Sequence, residues 1–234
     1  MTASPSPATV PPRDASPAGP YAELATVERN GFIESRHFGS MIALAPDGTV
    51  HMALGAPDEP TMPRSALKPL QAAVCLDAGA RLEGPLLALA AASHLGQDEH
   101  VAGVREILTQ AGLTDAALQC PPDMPGHAET RRRLIREGQE PSRIRMNCSG
   151  KHAAMLAACV AAGWPPETYR DPGHPLQQRI ATLISERAGE ALAHTGVDGC
   201  GAPAFALSLT GLARAVRSVV VAPRGGADRA VADA

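Results

Sequence analysis

Two lysines occur in the 234 residues, against nineteen arginines, and each follows a nucleophile-type side chain by three positions: Ser65-Ala66-Leu67-Lys68 and Cys148-Ser149-Gly150-Lys151. Arginine meets every other demand for positive charge, so the two lysines point to a task a guanidinium cannot perform. An amine can give up its proton and act as a general base or a neutral ligand when burial and nearby positive charge lower its pKa; a guanidinium stays charged. Coincidence is the competing explanation, and the double occurrence in so lysine-poor a chain favours chemistry.

The first pair is an SxxK pattern, in which a hydroxyl at a helix start acts as nucleophile and the lysine manages its proton. Many helices carry SxxK as a solvated pair, but here Pro63 and Pro69 bracket it and an apolar helix follows. Arg64 can hold a carboxylate through a forked contact or be a plain surface arginine. Ser93-His94 follows a run of apolar residues and leads into a Gly-containing loop, so Ser93 can face a cleft or merely cap a helix end. Asn147 to His152 is the densest polar group in the chain and opens a helix, an environment that lowers thiol pKa and attracts anions. Asp198-Gly199-Cys200-Gly201 places a second cysteine on a glycine-flanked turn. Cys148 and Cys200 can share a zinc ion, with Lys151 or His152 and a water completing four-coordination, or be two inert buried thiols. Cys75, Cys120 and Cys159 read as inert, and His37, His51, His127, His174 and His194 as structural.

The elements that must position these groups follow from pattern. Residues 1–20 hold six prolines and little apolar bulk and read as a disordered leader, with a globular domain over 21–234. Structure is expected to begin near Tyr21, with an early strand suggested by Leu24, Ala25, Val27 and then Phe32, Ile33 and Glu34, and a β-hairpin over Ser40–Ala45 and Thr49–Leu54 about the turn Pro46-Asp47-Gly48. Helical spacing begins at Ser65, where Pro69 confines the start to within a turn. Further helices are expected over 86–92, 100–111, 130–137, 151–162, 175–193 and 204–216, then a strand over 218–221. A hairpin, many helices and another strand predict an α+β or three-layer domain rather than a doubly wound sheet. The chain ends at Ala234 inside what reads as a helix begun after Gly225-Gly226, and a truncated C-terminus is expected.

Composition excludes other classes. Net charge is −3, and the only basic cluster, Arg131-Arg132-Arg133, reads as a solvated helix face, so nucleic acid and anionic membrane surfaces are not expected partners. No apolar run reaches eighteen residues, no secretory signal opens the chain, and a cytoplasmic enzyme is the default. Five cysteines without a scaffold pattern argue against a disulfide framework.

The segments RSALKPLQ from Arg64, ASHLGQDEH from Ala92, MNCSGKHAAML from Met146 and VDGCGAPAFALSL from Val197 occur in that order. The set resembles the bacterial L-asparaginases of the Rhizobium etli type, the L-asparaginase II family, over roughly residues 23–234. The resemblance implies a fold like the serine β-lactamases and glutaminases, a homodimer, and hydrolysis of L-asparagine to L-aspartate and ammonia. It assigns Ser65 and Lys68 to a first Ser-Lys pair, Ser93 to a second active-site serine, Cys148, Lys151 and Cys200 to a zinc site near the substrate, and Asp198 to an acidic residue beside it; Arg64 and His152 are the further residues expected to contact the substrate. The family pairs its second serine with a later lysine, which this chain lacks; the 234 residues are therefore expected to be a fragment or a degenerate paralogue, with weak or no activity alone. A penicillin-recognising hydrolase and a non-catalytic zinc-stabilised binding protein are the rival readings, and the resemblance does not say which serine attacks.

Overall fold

A computed structural model describes residues 19–234, in which five strands, six α-helices, two strands and two α-helices follow one another in an α+β arrangement. Most of the expected leader, residues 1–18, lies outside the described residues. Strands β1 (Ala22–Arg29) and β2 (Phe32–Gly39) form an antiparallel ribbon. Its two-residue loop Asn30-Gly31 has positive φ at both positions, the hairpin turn that matches strand twist. The expected second hairpin is present as β3 (Met41–Leu44) and β4 (Val50–Leu54). Asp47 Oδ1 accepts from Thr49 N–H, which fixes its turn. The short β5 (Pro60–Thr61) pairs with β7 (Pro203–Ser208), which pairs with β6 (His194–Val197); all pairings are antiparallel.

The helices are α1 (Lys68–Asp77), α2 (Gly84–Ala91), α3 (Asp98–Gln110), α4 (Ala128–Arg136), α5 (Ser149–Ala162), α6 (Pro175–Ala188), α7 (Leu209–Val220) and α8 (Ala227–Asp233). Helix α1 sits at the centre, packed against α2, α5, α6, α7 and α8. Leu70, Ala73 and Val74 of α1 and Ala154, Met155 and Leu156 of α5 are buried, and α2, α3, α6 and β7 close over them. Burial of that apolar surface is the main force holding the site's two principal helices together. Helix α5 is covered on nearly all sides from Ser149 to Cys159, which is why its sequence is Ala-rich instead of amphipathic. No helix among the described residues is long and apolar enough to cross a membrane.

Three expectations need correction. Residues 204–216 do not form one helix: Ala204 to Ser208 belong to β7, buried on both faces, where an apolar run carries no period that separates strand from helix. Ser208 then caps α7, its Oγ accepting from Gly211 N–H. The expected strand at 218–221 is the end of α7, whose apolar stripe packs toward β3 and α6. Helix α6 stops at Ala188 rather than 193, because Gly189 adopts the left-handed cap at φ 71°.

Candidate active site

Residues 64–67 form a 3-10 turn that runs into α1, and Pro69 occupies the first turn of that helix, where its missing N–H costs nothing. The turn begins under strain: Arg64 has φ +50°, a left-handed conformation unusual for a side-chain-bearing residue. Its guanidinium is tied across the chain, Nε and Nη2 donating to Asp198 Oδ1 at 2.9 and 2.6 Å. The turn leaves Ser65 exposed and sends Lys68 inward, to 1% exposure.

The Lys68 amine points to the end of α2. That helix closes at Ala91, and Ala92 swings to an extended conformation that presents Ser93 beside the amine. Lys68 Nζ lies 2.6 Å from Ser93 Oγ and 3.2 Å from Ala92 O, and Ser93 Oγ is 3.4 Å from Ser65 Oγ. The order is therefore Lys68, Ser93, Ser65, with Ser93 between the amine and the serine three residues before it. Burial pulls the Lys68 pKa below the usual lysine range, opposed next by the sulfur of Cys148, which pushes it up, and aided to a lesser degree by Lys151.

The segment before α5 runs against this loop. His94 N–H donates to Asn147 O at 3.1 Å, and a side chain at Gly150 would overlap the carbonyl of Leu89, so the start of α5 lies in contact with the end of α2. Cys148 occupies the N-cap position, and Lys151 and His152 lie buried in the first turn. Cys200 comes from the tight turn between β6 and β7, closed by Gly201 N–H on Asp198 O. Lys151 Nζ lies 3.3 Å from Cys200 Sγ, and Asp198 Oδ2 lies 3.7 Å from the same sulfur. The two thiols interact: hydrogen bonding from Cys148 draws Cys200 down toward the thiolate, while Cys148, facing that sulfur in a buried setting, is pushed up.

His152 completes the cluster. Gln119 N–H donates to Tyr169 Oη at 3.2 Å, which leaves the phenol proton for His152 Nδ1 at 2.6 Å. The ring Nε2 is buried and has no hydrogen-bond partner, although Cys200 is among the groups that act on the ring. Tyr169 and Gln119 carried no motif; the scarcity of aromatics, with two tyrosines in the chain, is the signal that marks a fully buried tyrosine as something to account for.

All nine residues singled out in the sequence thus occupy one region: Arg64, Ser65 and Lys68 before and at the start of α1, Ser93 after α2, Cys148, Lys151 and His152 at the start of α5, and Asp198 and Cys200 on the β6–β7 turn. The family model for L-asparaginase II matches residues 25–234. The chain belongs to that family. No curated protein matches it. Membership in L-asparaginase II points to hydrolysis of the asparagine amide, and the match includes all nine residues. Cys75 and Cys159 lie outside the cluster, buried and with thiol pKa values raised first by burial, as expected for inert sulfurs. Cys120 is likewise pushed up, to about 11, by burial first.

Proposed function

We propose that the protein hydrolyses L-asparagine to L-aspartate and ammonia by acyl transfer through an active-site serine, on a scaffold of the serine β-lactamase and glutaminase type that works as a homodimer. The observation that carries the reading is the contact between the buried Lys68 amine and Ser93 Oγ, with Ser65 next in line. A neutral amine accepts the hydroxyl proton of Ser93 directly, or that of Ser65 relayed through Ser93. The freed serine oxygen bonds to the side-chain amide carbon, the C–N bond breaks, and the proton held by Lys68 leaves on ammonia. Water then cleaves the ester and restores the hydroxyl. Burial lowers the Lys68 pKa and so favours the neutral amine more than at an exposed lysine.

The Arg64–Asp198 pair suits the other end of the substrate. An α-amino acid is a zwitterion, and an ion pair with one exposed member can exchange partners with it, guanidinium to α-carboxylate and carboxylate to α-ammonium. Such contacts fix the side-chain amide for attack. Cys148, Lys151 and Cys200 offer two sulfurs and an amine to a zinc ion, and His152, whose buried Nε2 lacks a partner, stands beside them. That donor set fits zinc in chemistry, since thiolates, and an amine that gives up its proton on binding metal, are soft and borderline ligands. When bound, zinc would supply fixed positive charge near the substrate's polar end.

Ammonia release from L-asparagine and L-glutamine, with metal content measured on the same preparation, tests the proposal. Ser65→Ala and Ser93→Ala assayed for an acyl-enzyme burst assign the attacking oxygen. Undiminished turnover in both variants sinks the scheme, and zinc bound with no amide hydrolysis favours a non-catalytic binding protein.

A further inference from the structure

His94 follows Ser93 directly and has no place in the chemistry described so far. It is buried, at 6% exposure, and both ring nitrogens are engaged. Nε2 lies 2.8 Å from Ser149 Oγ, and Nδ1 lies 3.1 Å from Gly96 N. The protons on these bonds can be assigned by elimination. Ser149 Oγ lies 2.7 Å from Ile144 O, a carbonyl that can only accept, so the single hydroxyl proton of Ser149 is spent there. Ser149 Oγ must therefore accept from His94, which puts a proton on Nε2. Gly96 N–H can only donate, so Nδ1 must be bare. One of the three protonation forms of imidazole satisfies both contacts: the neutral ring carrying hydrogen on Nε2.

The ring sits at a junction. One contact holds the loop that presents Ser93, the other the 144–149 segment that leads into α5 and its thiol and amine groups. The loop has little slack elsewhere. Gly96 has φ +70°, and a side chain there would meet Arg145 O at 2.6 Å. Arg145 Nη1 donates to Gly96 O at 2.7 Å and Nη2 to Asp98 Oδ1 at 2.8 Å. The imidazole is the side chain that joins these tethers on the Ser93 side.

We infer that His94 is a positioning residue: as the neutral Nε2–H tautomer it bridges Gly96 N–H and Ser149 Oγ and thereby holds Ser93 Oγ against Lys68. Of the titratable groups facing it, the two bases favour a neutral ring and the one carboxylate, Glu99, acts against it. His100 of α3 stacks on it at 5.2 Å between centroids, Lys68 of α1 lies near, and Glu99 lines the same cleft. Burial first, then His100 and Lys68, pull its pKa down to about 4. The inference rests on the proposed function only where Ser93 placement is translated into turnover; the placement itself is read without activity.

The two-lysine composition supplies the experiment. Lysine-selective 13Cε/15Nζ labelling gives one signal each for Lys68 and Lys151, and Ser93→Ala sets the Lys68 shift that marks loss of the Ser93 contact. At fixed pH, His94→Ala is expected to move the Lys68 signal at least halfway to that mark. His94→Gln, which returns an amide N–H to Ser149, should recover part of the displacement. A Lys68 signal unmoved in His94→Ala overturns the inference. Should His94→Ala fail to fold, the wild-type chain decides: long-range 1H–15N spectra of labelled histidine must show His94, assigned by its loss in His94→Gln, protonated on Nε2 alone at pH 7. Protonation on Nδ1, or on both nitrogens, refutes the bridge. If the protein releases ammonia, kcat in His94→Ala falls by up to about a hundredfold, the loss expected from misplacing a reacting group by about 1 Å, with KM nearly unchanged. If the wild type releases none, the proposed function fails while the lysine and histidine spectra still judge His94.

Discussion

Replacing Lys68 by Met separates a catalytic amine from a structural one, and the size of each effect follows from what Lys68 touches. Lys68 is 1% exposed, and its amine makes two hydrogen bonds, to Ser93 Oγ and Ala92 O. Each bond to a charged donor contributes about 1.5–3 kcal/mol, and truncation is costly when the abandoned partner stays buried. Here both partners belong to exposed residues, so water replaces the amine on each. Against the lost bonds stands the penalty for burying an ammonium with no carboxylate hydrogen-bonded to it, several kcal/mol, which Met removes while filling nearly the same volume. The terms roughly cancel. We expect Lys68→Met to fold with a stability within about 1 kcal/mol of wild type, a melting shift of no more than about 2–4 °C for a chain of this size. Loss of the general base should cut ammonia release by about 10²–10⁴-fold.

The pH dependence sharpens this. The folded-state pKa of Lys68 lies below its ordinary value of 10.5, so the folded chain holds this proton less tightly than the unfolded chain. Between the lowered pKa and 10.5 the unfolded state binds more protons, and wild-type stability rises with pH through that window. Below the lowered pKa the penalty is present in full. The stability of Lys68→Met relative to wild type is therefore greatest below the lowered pKa and shrinks as pH approaches 10.5. Denaturant titrations at several pH values and steady-state ammonia assays test both halves. A large loss of stability at pH 7 with activity falling only in proportion to unfolded protein would assign Lys68 a structural role and refute the reasoning.

Two other substitutions probe the frame around the serines. Gly96→Ala forces a side chain into a left-handed residue and onto Arg145 O and Pro125, and we expect a loss of about 2–4 kcal/mol in urea unfolding; a change under about 1 kcal/mol would mean that the loop relaxes and is not rigidly held. Asp198→Asn weakens the two bonds from Arg64, but Arg64 is 62% exposed, so stability should change little. The same change should raise KM for L-asparagine at least tenfold by removing a partner for the α-ammonium, and an unaltered KM would exclude Asp198 from substrate binding.

What the sequence made legible was local chemistry. The Pro46-Asp47-Gly48 turn, the start of α1 set by Pro69 and the polar opening of α5 depend on neighbours within a few residues, and the structure has each where those neighbours require it. Partner assignments were legible only in part, because they depend on packing between distant segments. The three-residue spacing of Ser65 and Lys68 suggested a direct pair, yet a four-carbon stem reaches beyond its own turn, and burial of α1 against α2 aims the amine at Ser93, 25 positions away. The β7 strand was lost for a related reason: a segment covered on both faces has no amphipathic period to read. His94 shows the limit most clearly. Its role lies in which nitrogen carries the proton, and that is decided by Ile144, a carbonyl two contacts and fifty positions removed from the ring. No reading of residue types near position 94 could supply it, whereas a hydrogen-bond count carried outward from Ser149 leaves no other arrangement. The residues that do the chemistry can be found from their kinds; the residues that hold them in place are found by following each proton to its acceptor.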